Sequence, residues 1–317
     1  MATRSHPFRG YLYIATATLL WGIAATLGRA AFTGRLLPAG HSLRPIDPLI
    51  LSQSRAGFSL LVLLPVLLLT RGAASLKLPR PDLIRCCVLG VLGVAASNYF
   101  YYFAIQKTNV ATAIILQYTA PVWVLLYMVA RGLQKPSLKR VLSVGLAVVG
   151  CALAIGVVGT GVLKMDPIGL TAAFLAAFSF SFYNIGGHDL LERYDRWKVL
   201  TWVLSAASVF WLFVNPPWKV VAAHYGATEW LFMLGFALIS VLAPFSFYFA
   251  GLQYLEPTRA IVASCLEPMF SIAIAAVVLG EVLRPLQTLG IVVVLVAIVL
   301  IQMPERGGDA AVVEPIE

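Results

Sequence analysis

Ten apolar segments joined by short polar connections dominate the pattern along the chain: 11–32, 48–69, 83–106, 110–130, 138–158, 167–188, 198–214, 229–252, 257–280 and 286–303. A helix rising about 1.5 Å per residue needs roughly 20 residues to cross ~30 Å of hydrocarbon, and these segments have that scale. None alternates apolar and polar positions as a barrel strand does, so the pattern predicts helices. Proline, glycine or charge marks nearly every connection, among them Pro79, Pro81, Pro136, Pro167, Pro216, Pro217, Pro257 and Pro285. Segment 11–32 exceeds the ~7–15 apolar residues of a signal peptide and reads as a retained first span. From Pro304 the chain turns polar, and a disordered tail is expected over 304–317.

The pattern also repeats. A shift of 147 residues superimposes Tyr101 on Tyr248, Gln106 on Gln253, Ala113 and Ile114 on Ala260 and Ile261, and Pro121 on Pro268. Glutamine and proline coinciding at one offset is hard to ascribe to apolar helices that merely look alike. Two halves follow, 1–158 and 159–303, each with five segments. Five is odd, so the halves are expected in opposite orientations around a central cavity, as inverted repeats. The predicted fold is thus an all-α integral membrane protein of ten transmembrane helices.

Composition sharpens the class. Of 317 residues, 60% are hydrophobic and only 12% charged, and soluble domains carry about twice that share of charge. The net charge of +9 suits loops against anionic lipid, and no nucleic-acid partner is expected. With the N-terminus inside, only Arg29, Arg35, Arg44, Lys107, Lys164, Lys219 and Arg284 fall outside and Arg55 within the membrane. The other fifteen of 23 basic residues lie inside, which predicts both termini in the cytoplasm. Cys86, Cys87, Cys151 and Cys265 sit in apolar runs and spell no disulfide framework or metal pair. No P-loop, HExxH or GxSxG is present, so no catalytic residue, metal or cofactor is expected, and any transport would draw on gradients.

The chemistry concentrates in segment 257–280. Glu267 lies near its middle, where a carboxylate facing lipid costs about 2.5–3.5 kcal/mol. Pro268 follows it and, lacking an N–H, frees the carbonyl of Ser264 one turn earlier. Ser264, Glu267 and Ser271 share one helical face. In the first half Pro121 frees the carbonyl of Gln117 in the same way. These pairs read either as a central site or as kinks that shape packing. Glu267 reads as a substrate or proton ligand, or as half of a structural ion pair with Arg55. Arg55, near mid-helix with Ser52 and Ser59 on its face, would grip a substrate carboxylate with both arms, or else lock helix to helix. Trp21, between Thr18 and Ala25 on one face, has an inward pattern. Asn98 with Tyr102, and Asn184 near Phe180, pair polar and aromatic groups one turn apart and are further lining candidates. His188, Asp189, Glu192 and Arg193 read as a solvated helix end, and Arg29 as an interfacial anchor.

The ordered set Leu20-Trp21-Gly22, Arg55, Tyr101-Tyr102-Phe103-Ala104-Ile105, Ala120-Pro121-Val122, Pro268, Gly280-Glu281 and Gly290 resembles the drug/metabolite transporter superfamily, EamA type. The resemblance covers residues 11 to about 303. It departs at Leu133-Gln134, where the first repeat would often end in Gly-Glu. It implies an exporter of small metabolites such as amino acids in a bacterial-type inner membrane, with a small-molecule substrate, the lipid bilayer and candidate coupling protons as partners. The oligomeric state is left open. Rival readings are an uptake or antiport carrier for a nucleoside or phosphorylated substrate, which would want more buried cations, and a membrane enzyme on lipid-linked substrates. A non-transporting scaffold would leave Glu267 beside Pro268 without a purpose.

Overall fold

A computed structural model describes residues 7–33, 44–108, 110–156, 166–279 and 284–303. Gly280-Glu281, Lys164 and the tail from Pro304 lie outside the described residues, as do the side chains of Arg29 and Gln106.

Helix α1 is Pro7–Thr33, and α2 is Pro48–Arg71. Asp47 starts α2 by accepting from the amides of Leu49 and Ile50 at 2.8 and 3.1 Å, which satisfies two of the donors a helix start leaves open. Gly72 ends it at φ +71°, a left-handed backbone that L side chains avoid, and a 3₁₀ turn follows over Ala73–Leu76. Next come α3 (Arg80–Val88) and α4 (Ala96–Lys107), then α5 (Val110–Gln117) and α6 (Ala120–Ala130), then α7 (Leu138–Ala154). In the second half α8 is Pro167–Arg193, α9 is Arg196–Val214 and α10 is Pro217–Ala222. The chain then runs through α11 (Ala227–Ala237), α12 (Ala243–Leu252), α13 (Pro257–Ser264), α14 (Leu266–Leu279) and α15 (Pro285–Gln302). No strand occurs among the described residues. Among the described residues, seven helical stretches are long and apolar enough to cross a membrane.

Uninterrupted helices are the expectation over 83–106 and 229–252. Instead, a π-helical turn joins α3 to α4 over Leu89–Ala95, and another joins α11 to α12 over Leu238–Leu242. The connection at 217–226 likewise holds a short helix, α10, that hydropathy did not suggest.

The irregularities keep the offset of the sequence repeat. The π turns end at Ala95 and Leu242, and the helix ends before the two prolines fall at Gln117 and Ser264. Each pair is 147 residues apart. Pro121 and Pro268 supply no amide to the carbonyl one turn back, and the helix stops at that residue in both halves.

Close packing depends on small residues, since lipid tails are as apolar as leucine and only tight fit favours one helix against another. Helices α7 and α15 cross at Gly150 and Gly290, where a side chain on Gly290 would collide with the backbone of Ala154 and Gly150. Helix α1 lies against α12 and α14, and Gly22 lets it approach the Ser271 amide. Leu69, Phe213, Leu138 and Leu231 stand exposed on the outside, which fits a bilayer and would be a liability in water.

Candidate functional site

The break between α13 and α14 brings polar groups to mid-bundle. Glu267, in the first turn of α14, is part-exposed while Ser264, Pro268 and Met269 around it are buried. Its carboxyl lies beside the hydroxyl of Tyr118, which sits in the matching break between α5 and α6. Gln117, also part-exposed, ends α5 beside it, and Pro121 is buried in the first turn of α6. The two breaks thus face one another.

A relay of hydroxyls runs inward from the same place. Ser264 donates to the Ile261 carbonyl at 2.7 Å and lies beside the Tyr248 side chain. Tyr248 accepts in turn from the Asn184 amide at 2.5 Å. Asn184 is fully buried, and its Oδ1 has no partner among the described residues. Trp21, 9% exposed, packs edge-on to Phe245 at 5.4 Å and tilted against Tyr248 at 5.3 Å. It is therefore a wall of the aromatic core that backs the polar groups, with Tyr183 and Phe249 behind.

Arg55 is held from three sides. Its Nε donates to Ser240 Oγ at 2.9 Å, Nη2 to the Ser240 carbonyl at 3.2 Å, and Nη1 to Tyr102 Oη at 3.4 Å. The guanidinium carbon stands 5.6 Å from the Phe236 ring centre, within range of a cation–π contact. Ser240 belongs to the second π turn, where the wound-out backbone presents both hydroxyl and carbonyl to one cation. Among the described residues no carboxylate pairs with Arg55. Its field does reach Glu267, so the two charges share one region without closing into the ion pair that the sequence left open. Asn98 stands apart, its amide donating to Val94 O of the first π turn at 2.8 Å.

Three groups escaped sequence reasoning. Tyr118 was one aromatic among many, although its place three residues before Pro121 puts it at the break. Tyr248 had a signal in its repeat partner Tyr101. Ser240 had none, being one serine in an apolar run.

The helix-8 end is less solvated than its charges suggested. Asp82 of α3, 8% exposed, accepts from Arg193 at 2.8 Å, Tyr194 at 2.5 Å and Arg85 at 3.2 Å. Arg71 pairs with Asp195 at 3.0 Å nearby. At the other end of α2, Tyr225 accepts from the Asp47 amide at 2.9 Å, and Gln53 accepts from Asn215 at 2.8 Å.

The pattern of the EamA-like transporter family matches this chain twice, over residues 8–156 and 167–303. The chain belongs to the EamA-like transporter family. As an EamA-like protein it is an integral membrane transporter. Two relatives are named as transporters. One, described as the uncharacterized inner membrane transporter YicL of Salmonella typhimurium, is 23% identical over 72% of this chain and 75% of its own length. The other, an uncharacterized transporter of Archaeoglobus fulgidus, is 25% identical over 80% of this chain and 86% of its own. A protein of known crystal structure superimposes with a TM-score of 0.73 at 18% identity, covering 92% of this chain and 97% of that one. At that identity the likeness speaks for the EamA-like fold alone.

Proposed function

We propose that this EamA-like transporter exports small zwitterionic metabolites, amino acids being the leading class, by secondary active transport with alternating access. The observation that carries the reading is the pair Arg55 and Glu267: opposite charges in one mid-membrane region, Arg55 held by the Ser240 and Tyr102 hydroxyls and Glu267 beside that of Tyr118, neither spent on the other. A cation without a carboxylate partner at that depth is expensive unless it serves a ligand. A substrate carboxylate fits the free edge of the Arg55 fork, and a substrate ammonium fits Glu267. Gln117, Tyr102, Asn98 and the helix ends at Ser264 and Pro268 supply further polar lining, with Pro121 shaping the opposite wall and Trp21 and Asn184 behind it.

The architecture we propose has ten spans in two inverted repeats, 1–158 and 159–303, with both termini cytoplasmic and the tail 304–317 beyond. The family match in two segments and the irregularities recurring at one offset support the repeat. The excess of basic residues on one set of loops supports the orientation. Protons are the proposed coupling ion. Alternate hydration of Glu267 and a changing distance to Arg55 would make its proton affinity depend on conformation, which coupling requires.

The rival carrier for phosphorylated substrates would need several buried cations, and Arg55 alone is deep. The deciding experiment is efflux from proteoliposomes loaded with labelled amino acids or nucleosides, with and without a pH gradient. Amino-acid efflux that is accelerated by the gradient is expected; efflux of nucleosides alone would overturn the reading.

A further inference from the structure

A groove of about 440 Å³ opens on the side of the bundle between α2 and the second π turn. Val62, Leu63 and Val66 form one wall and Leu242 and Phe247 the other. Its lining is almost wholly apolar, and Ser246, the hydroxyl within it, already donates to the Leu242 carbonyl. At one end stand Arg196 and Trp197, the first residues of α9. A second, smaller hollow of about 250 Å³ adjoins there, sharing Trp197 and lined by Arg71, Ser75, Asp195 and Lys198.

The two hollows have opposite chemistry in one continuous line. The long one runs along α2 below its terminal Arg71, at hydrocarbon depth; the short one lies at the helix ends, where the interface begins. The lining of the two hollows holds three cations, Arg71, Arg196 and Lys198, and one carboxylate, Asp195. Asp195 is already taken, capping α9 through the Trp197 amide at 3.0 Å and pairing with Arg71. Among the described residues Lys198 donates to the Lys77 carbonyl alone, at 3.1 Å, and lies over the Tyr194 ring. Arg196 pairs with no described carboxylate, and its guanidinium lies 5.0 Å from the centre of the Trp197 ring. Two cations without counter-charge, beside an indole at the interface and at the mouth of a lipid-facing apolar groove, are complementary to one kind of molecule.

We infer that this groove holds an anionic glycerophospholipid, one acyl chain along Val62–Val66 and the headgroup phosphate on Arg196 and Lys198. The site adjoins the transport machinery. The π turn that gives one wall of the groove, through Leu238 and Leu242, also holds Arg55 through Ser240. Lipid and transport cation thus share one irregular stretch of backbone.

The test is native mass spectrometry of the delipidated full chain titrated with phosphatidylglycerol or phosphatidylcholine of identical acyl chains. Wild-type protein should retain phosphatidylglycerol in preference, and Arg196→Gln should weaken that binding about fivefold while leaving phosphatidylcholine unchanged. Val66→Trp, which fills the groove and keeps the cations, should weaken both lipids. Glycerol 3-phosphate, a headgroup without chains, should not displace the lipid. Equal retention of the two lipids by wild type, or phosphatidylglycerol binding unaltered by both substitutions, would overturn the inference. Full displacement by glycerol 3-phosphate would also overturn it, by reducing the site to a soluble-anion pocket. Each variant is checked for a monodisperse elution profile first, and both residues are surface positions whose replacement leaves the core intact.

Discussion

Arg55 and Glu267 differ in what surrounds them, and their variants should differ accordingly. Glu267→Gln keeps shape and hydrogen-bonding capacity but removes the charge. It should fold, still exchange substrate, and lose the pH dependence of net transport in proteoliposomes; wild-type pH dependence would leave the residue a substrate contact only. Arg55→Lys keeps the charge and loses the planar fork that Ser240 and Tyr102 hold in place. The loss of one charge-assisted bond, about 1.5–3 kcal/mol, predicts a KM for a carboxylate substrate raised about tenfold or more, read from initial rates. Trp21→Ala removes a ring buried against Phe245 and Tyr248. A stability loss of about 3–5 kcal/mol in detergent unfolding is expected, well beyond what a ring facing an open cavity would cost. Glu267 stood out in the sequence because a carboxylate in an apolar run is costly, and the structure places it in the first turn of α14, at the break. The inward face of Trp21 was legible too. Whether it met substrate or protein was not, because periodicity gives a direction and no neighbour.

Helices were the easiest part to read, and their interruptions divided sharply. The breaks at Gln117 and Ser264 follow from Pro121 and Pro268, whose missing amides act locally and leave a letter in the sequence. The π turns leave none: Leu89–Ala95 reads LGVLGVA, apolar throughout, so an extra residue in the winding disturbs no hydrophobic stripe. Glycine contacts lie between these cases. Gly290 was visible as a repeat mark, but its contact with the backbone of α7 depends on a crossing 136 to 140 residues away in sequence. Gly290→Leu should separate α7 from α15 and cost about 1–3 kcal/mol or more through overpacking, seen as a lowered melting temperature. Gly145→Ala, inside α7 with open space around it, should not lower the melting temperature and is expected to raise it slightly.

For the whole molecule, the inverted-repeat proposal makes a topological demand. Single cysteines placed in 71–81 and 132–137 should label from the cytoplasmic side, and those in 217–226 from the outside, in a background without the four native cysteines. All three sets on one side would remove the odd helix number per half. The two ends of α2 are tied to the second half by different contacts, Arg71 to Asp195 at one end and Gln53 to Asn215 at the other. Asp82→Asn would weaken the bonds from Arg193 and Tyr194 at the first end. An Asn98→Cys probe should then react faster with an impermeant maleimide from that side. The π turns give such opening a geometry of its own. Taking one residue out of a π turn and into regular winding swings the helix beyond it by about 100° and advances it about 1.5 Å. Past Ala95 that swing would carry the Tyr102 hydroxyl off Arg55, and at Leu238–Leu242 it would carry off Ser240. Arg55 is thereby clasped by two screw threads, one cut into each half of the chain, and a turn of either would loosen its hold.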